Sequence, residues 1–225
     1  MYDLKTWFLL FMIYSFIGWI IEVIDIFITT KKLVNRGFLI GPYCPIYGYG
    51  SLFIIYFLHS YTDSPIVLFV MTIAICSVLE YSTSYLMEKI FKARWWDYSN
   101  NKYNINGRIC VGNMILFGIG GCMILYVANP FITYCLSLLL DQMLTVMAIL
   151  LFSIFLIDNL VSFKVILNFK KVATTIRKDS TEEISKRVKA VLSSKSFLGK
   201  RLMNAFPNVK AILKSYNEKR KKKHK

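Results

Sequence analysis

Trp7-Phe-Leu-Leu-Phe-Met-Ile-Tyr-Ser-Phe-Ile-Gly-Trp-Ile-Ile-Glu-Val-Ile-Asp-Ile-Phe-Ile28 decides the fold class. As an α-helix this run is about 33 Å long, enough to cross a hydrocarbon core of roughly 30 Å. Lipid offers the backbone no hydrogen-bond partner, so every amide must be satisfied inside the segment, and a helix does that. The run has no basic n-region or A-x-A cleavage site and is too long for a signal peptide. It is expected to stay in place as a membrane anchor.

Working outward, three more runs have the same character: Pro65 to about Phe91, Ile109 to Ala128, and about Gln142 to Phe163. A shorter run, Ile46 to Ser60, can be extended at its start from Tyr43. These read as about five transmembrane helices of an all-α polytopic membrane protein. A hydrophobic fraction of 56%, a charged fraction of 18% and a mean hydropathy of +0.48 agree with that class. Asn129-Pro130 is expected to break the fourth span, leaving the stretch up to Asp141 as a short interfacial helix. The alternative is one long tilted span from Phe131, which would place Asp141 at membrane depth in need of a partner.

Charge sets the orientation. Residues 1–163 hold nine Lys/Arg and nine Asp/Glu, whereas residues 164–225 hold nineteen and four, so the whole net charge of +15 lies in the tail. Lys and Arg concentrate on cytoplasmic loops. The first loop carries Lys31, Lys32 and Arg36; the third carries Lys89, Lys92, Arg94, Lys102 and Arg108; the second and fourth carry none. The expected arrangement has the N-terminus outside and the C-terminus cytoplasmic, with a transmembrane domain over 1–163 and a basic cytoplasmic tail over 164–225.

Several function classes drop out. No G-x-x-x-x-G-K-[ST] phosphate loop occurs, so any ATP coupling needs a separate ATPase subunit. Cys44, Cys76, Cys110, Cys122 and Cys135 show no C-x-x-C spacing, and His59 and His224 are the only histidines. Neither a disulfide framework nor a metal site is expected, and no cofactor or catalytic motif is recognised.

Ionisable residues inside a span cost about 2.5–3.5 kcal/mol on insertion scales and ask for a reason. Ser15, Gly18, Trp19, Glu22 and Asp25 share one helical face, as do Ser77, Glu80, Tyr81, Ser84 and Glu88. Both stripes are expected to face protein or water. Arg36, Arg94 and Arg108 are the expected counter-charges, forming with Glu22, Glu80, Glu88 and Asp97 a carboxylate and guanidinium cluster at the cytoplasmic mouth. Two roles stay open: fixing helix register, or lining a substrate or proton path.

Asn35 to Gly50 contains Gly37, Gly41, Pro42, Cys44, Pro45 and Gly48, too many breakers for regular helix. The stretch reads either as a re-entrant segment buried in protein or as a tight turn feeding a short helix. Trp95-Trp96-Asp97-Tyr98 suits interfacial anchoring, or grip on a lipid headgroup with Arg94. Gly118, Gly120, Gly121 and Cys122 offer a small-residue surface for close helix contact. Gly37, Gly48 and Gly50 recur in spacing as Gly107, Gly118 and Gly120, which hints at a duplicated pair of spans around a cytoplasmic loop.

In the tail, Ser180-Thr-Glu-Glu183 is a capping-box pattern before Ile184, Val188, Val191 and Leu192. Phe197, Leu198, Leu202 and Phe206 suggest a second amphipathic helix, and Val209 to Tyr216 a third. With Lys219-Arg-Lys-Lys-Lys-His-Lys225 behind them, the expected partner is anionic lipid. Charge alone would also admit nucleic acid, but the bilayer tether and the lack of a nucleic-acid-binding fold argue against it.

Gly18-Trp-Ile-Ile-Glu22, the Asn35–Gly50 loop, Leu79-Glu80, Met87-Glu88-Lys89, Arg94-Trp-Trp-Asp-Tyr-Ser99 and Asn106-Gly-Arg-Ile-Cys110 together carry a resemblance. The chain resembles the bacterial ABC-transporter type IV, or CmpB-like, permeases over residues 7–163. That resemblance implies a multi-pass protein of the bacterial cytoplasmic membrane with Glu22, Arg36, Glu80, Glu88, Arg94, Asp97 and Arg108 as motif residues. The expected function is a permease-like subunit without its own ATPase, in contact with membrane lipids and open to homo-oligomer formation. The alternatives are a membrane enzyme acting on lipid and a structural or regulatory partner of other membrane proteins.

Overall fold

The computed structural model describes residues 2–91, 93–175, 197–205 and 210–211. It is an all-helical assembly whose long helices turn large apolar side chains outward: Ile66, Leu116, Ile149 and Leu160 are all more than half exposed. An exposed apolar belt of that extent needs lipid around it.

Helix α1 (Leu4–Thr30) starts at Asp3, whose side chain accepts from the Thr6 amide at 3.0 Å. The hydrogen bonds from Thr6 hold the Asp3 carboxyl below its ordinary value. The helix ends at Lys31, left-handed at φ 55°, whose amide returns to the Phe27 carbonyl. Helix α2 (Pro45–Leu58) runs antiparallel to it, because Gly18 lets the Tyr47 ring lie flat on α1 and Gly48 sits on Phe11 and Ser15. A Cβ at either glycine would collide with those atoms.

Helices α3 (Pro65–Phe91) and α4 (Val111–Met123) form a second close pair. Gly118 meets the Phe69 ring and Gly121 meets Thr72. Gly120 faces open space, so it is not part of the small-residue contact expected of it. Between the two helices, strands β2 (Asn104–Ile105) and β3 (Ile109–Cys110) make a small hairpin, turning through Asn106 and Gly107 at φ 53° and 66°.

The expected break at Asn129-Pro130 does not occur. A π segment (Ile124–Ala128) joins α4 to α5 (Asn129–Ser137), and the whole stretch Val111–Ser137 is long and apolar enough to cross a membrane. Proline lacks an amide and its ring crowds the carbonyl four residues back. The wider π turn, in which the Asn129 amide bonds to Ile124 five residues back, takes up that misfit. Asp141 then starts α6 (Asp141–Thr175) and is close-paired with Lys5, its side chain mostly exposed. Helix α6 is 35 residues long, so it passes Phe163 without a break and carries on into the basic region.

Four helices are long and apolar enough to cross: Leu4–Thr30, Pro65–Phe91, Val111–Ser137 and Asp141–Val165. The fifth expected span, α2, has 14 residues, about 21 Å. Its start lies beside the middle of α1, where the Cys44 amide donates to the Ser15 carbonyl at 2.8 Å. The core gathers Leu9, Leu10, Ile54, Leu58, Leu68, Leu125 and Leu136 where α1, α2, α3, the π segment and α5 meet.

In the tail, helix α7 (Phe197–Ala205) coincides with the second expected amphipathic helix. The third does not hold at Lys210–Ala211: strand β4 there pairs antiparallel with β1 (Ala93–Arg94), because extended backbone is what an open strand edge recruits. The capping box at Ser180 and its helix lie outside the described residues, as does Phe206.

Candidate functional site

Two hairpins, α1–loop–α2 and α3–loop–α4, carry the acidic residues and pack together through α2 and α3. In the first, Glu22 is 3.1 Å from Arg36 Nε and accepts from the Tyr47 hydroxyl at 2.7 Å. Trp19 Nε1 donates to Asn35 Oδ1 at 2.7 Å, and Asn35 in turn donates to the Ile40 carbonyl. The stripe of α1 therefore faces protein from Ser15 to Glu22 and opens to the exterior at Asp25.

In the second hairpin Glu88 is held by two guanidiniums, Arg94 at 2.9 Å and Arg108 at 3.0 Å. Arg94 also lies 3.7 Å from Asp97, and Arg108 donates to Ser84 Oγ at 3.2 Å while its guanidinium stands over the Tyr81 and Tyr85 rings. Gly107 is held at positive φ with no room for a Cβ between Ser99 and Asp97. In both hairpins a loop arginine just before or after a positive-φ glycine, Arg36–Gly37 and Gly107–Arg108, pairs with a carboxylate on the preceding helix.

Glu80 differs from these. It is buried, and among the described residues no Lys, Arg or His comes within ion-pairing distance of it. Its Oε1 accepts from the Tyr98 hydroxyl at 3.2 Å, and Asn113 donates to that same hydroxyl at 2.7 Å. Its Oε2 has no hydrogen-bond partner among the described residues. Burial raises the Tyr98 phenol well above its ordinary value, and Glu80 and then Glu22 push it the same way. One phenol thus feels the acids of both hairpins.

The Gly/Pro loop is held from below by a residue the sequence reading passed over. Asp158 of α6 accepts from the Ile40 amide at 2.9 Å, the Gly41 amide at 2.7 Å, the Tyr43 hydroxyl at 2.5 Å and Ser162 Oγ at 2.8 Å. Gly37, at φ 125°, lets the chain turn beneath Cys44; Gly41 lies under the Tyr43 ring; Pro42 is exposed; Pro45 opens α2. Tyr43, Tyr47, Asn113 and Asp158 were all missed as site residues. Only Asp158 carried a signal, as a lone acid in an apolar run. Among the described residues no group of three His, Cys, Asp or Glu side chains could hold a metal ion.

Residues 9–163, which include every side chain of these networks, match the family described as Putative ABC-transporter type IV. The chain belongs to that family. No curated protein and no solved structure matches it. Every acid and arginine of the two hairpins and of α6 named above falls inside the family region, whereas α7 and β4 lie beyond it. As a member of the type IV family it is a multi-pass membrane protein of a transport-related kind.

Proposed function

We propose that the chain is a permease-like subunit of the bacterial cytoplasmic membrane, with no ATPase of its own, whose polar path runs between the two hairpins. Glu22 and Glu80 line that path; Arg36, Glu88, Arg94, Asp97 and Arg108 frame its cytoplasmic mouth. The distribution of Lys and Arg supports an orientation with the N-terminus outside and the tail inside. The loop from Gly37 to Pro45 enters as a re-entrant segment, and the Cys44–Ser15 bond half-way along α1 supports that reading.

Glu80 is the observation that carries the proposal. The pairs Glu22–Arg36 and Glu88–Arg94–Arg108 would also serve to pin two loops, so they do not separate a path from a scaffold. A buried carboxylate with no cationic partner and one unpartnered oxygen among the described residues is a different matter. Its bond from Tyr98 leaves the carboxylate without a compensating charge, and we read a group of that kind inside a span as a place where something else binds.

Purification from native membranes in mild detergent tests the subunit reading. The expected result is copurification with an ATP-hydrolysing protein. A chain that comes away from every such protein under conditions that preserve its fold would remove the ABC-subunit assignment.

A further inference from the structure

Helix α7 and strand β4 touch both cytoplasmic loops at the arginines that hold the intramembrane acids. Arg36, whose Nε pairs with Glu22, donates through Nη1 to the Ala205 carbonyl at 3.2 Å. Arg201 of α7 donates back to the Phe38 carbonyl at 3.2 Å, and Leu202 and Ala205 are fully buried against the loop and α6. On the other side Arg94, which holds Glu88, is the β-register partner of Lys210. Helix α7 therefore contacts the first loop and strand β4 the third.

This docking is held by opposing forces. Leu198 and Leu202 line a small gap with Phe38, Ile40 and Val165, and Leu202 and Ala205 are buried, which favours the docked state. Arg201 works against it. Nε and Nη1 of Arg201 are buried with no hydrogen-bond partner among the described residues. Burial pushes its guanidinium below the ordinary value, and the attraction of Asp158 only partly offsets that. Asp158 already accepts four hydrogen bonds from the loop, Tyr43 and Ser162. The β1–β4 ladder adds only two residue pairs. A contact built this way releases readily when its basic chain finds a better partner.

We propose that α7 and β4 form a detachable strap that holds the cytoplasmic mouth shut, and that anionic lipid headgroups draw it off through the basic tail. The tail supplies nineteen Lys/Arg against four Asp/Glu, ending in Lys219-Arg-Lys-Lys-Lys-His-Lys225, and such clusters are captured by an anionic inner leaflet. With the strap docked, Arg36 bridges Glu22 and the Ala205 carbonyl; release of the strap breaks that link between the first loop and the tail. The inference rests on the mouth being the transport path proposed above, but its test does not require transport.

The experiment is hydrogen–deuterium exchange of the full chain in nanodiscs, reading the amides of residues 36–44. Phosphatidylcholine discs are compared with discs containing phosphatidylglycerol. The expected result is faster exchange with phosphatidylglycerol by about tenfold, the equilibrium change expected for losing one charge-assisted hydrogen bond. A chain ending at Thr175 should exchange fast in both lipids. Leu202→Asp in the full chain serves the same purpose if the shortened chain does not fold. Ala93→Cys with Ala211→Cys, in a background without the five native cysteines, joins register partners at a separation a disulfide can span. That cross-link should keep exchange slow in phosphatidylglycerol. Equal exchange in both lipids, slow exchange in both the shortened chain and Leu202→Asp, or failure of the cross-link to form under oxidation overturns the strap. A protein that moves no solute can still pass, so failure of the permease reading is told apart from failure of this one.

Discussion

Asp158→Asn is the sharpest test of how the Gly/Pro loop is held. The side chain is 8% exposed, and each oxygen takes two donors: Oδ1 from the Ile40 amide and Ser162, Oδ2 from the Gly41 amide and Tyr43. Asparagine fits the same space but must turn its NH2 toward one of those donor pairs. Whichever way it turns, one backbone amide of the loop loses its acceptor, at about 1–3 kcal/mol. The bonds that remain lose the charge that strengthens them. Tyr43 and Ser162 can rotate to other acceptors, so the net loss should be about 3 kcal/mol. Reversible unfolding in mixed micelles, followed by tryptophan fluorescence, measures it directly. Exchange of the Ile40 and Gly41 amides should rise in parallel. An unchanged midpoint together with unchanged protection at those two amides would refute the claim that Asp158 holds the loop.

Other expectations follow from the same contacts. Gly18→Leu should separate α1 from α2, since its side chain would occupy the space of the Tyr47 ring, and overpacking of this sort costs about 1–3 kcal/mol or more; the same unfolding assay reads it. Arg108→Met should destabilise by about 2 kcal/mol, below the 3–5 kcal/mol typical of a broken buried pair because Arg94 still holds Glu88; adding Glu88→Met should return part of the loss. Tyr98 is buried as a neutral phenol, so its folded value is raised above the unfolded one of about 10. Its contribution is complete below pH 10 and is lost as pH rises beyond it, and Tyr98→Phe should flatten the alkaline fall in thermal midpoint.

The membrane class was legible because apolar length and backbone satisfaction are local properties, readable in Trp7–Ile28 without knowing any neighbour. The acidic stripes were legible for the same reason: helical period alone places Glu22 with Gly18, and Glu80 with Ser84. Pairing was harder, because it depends on which loop folds over which helix. The expectation matched Arg36, Arg94 and Arg108 to all the acids alike, yet the structure gives Glu80 a tyrosine instead, whose hydroxyl Asn113 holds. Pro130 misled because the rule for proline assumes α-helical bonding, and a π turn one residue earlier removes the conflict. Asp158 acts through backbone amides of a loop more than a hundred residues away, and nothing local to α6 announces that. The strap was hidden for a related reason: Lys210–Ala211 has no strand signal of its own and becomes extended only where β1 offers it an edge.

The central claim is that Glu80 is a working group and not a packing accident. Cells expressing the wild-type chain, Glu80→Gln at equal membrane abundance, or neither can be compared by untargeted profiling of accumulated solutes and lipids. The account predicts a wild-type profile that differs from cells lacking the chain, and a Glu80→Gln profile that reverts to theirs. A Glu80→Gln profile identical to a distinct wild-type one would contradict it.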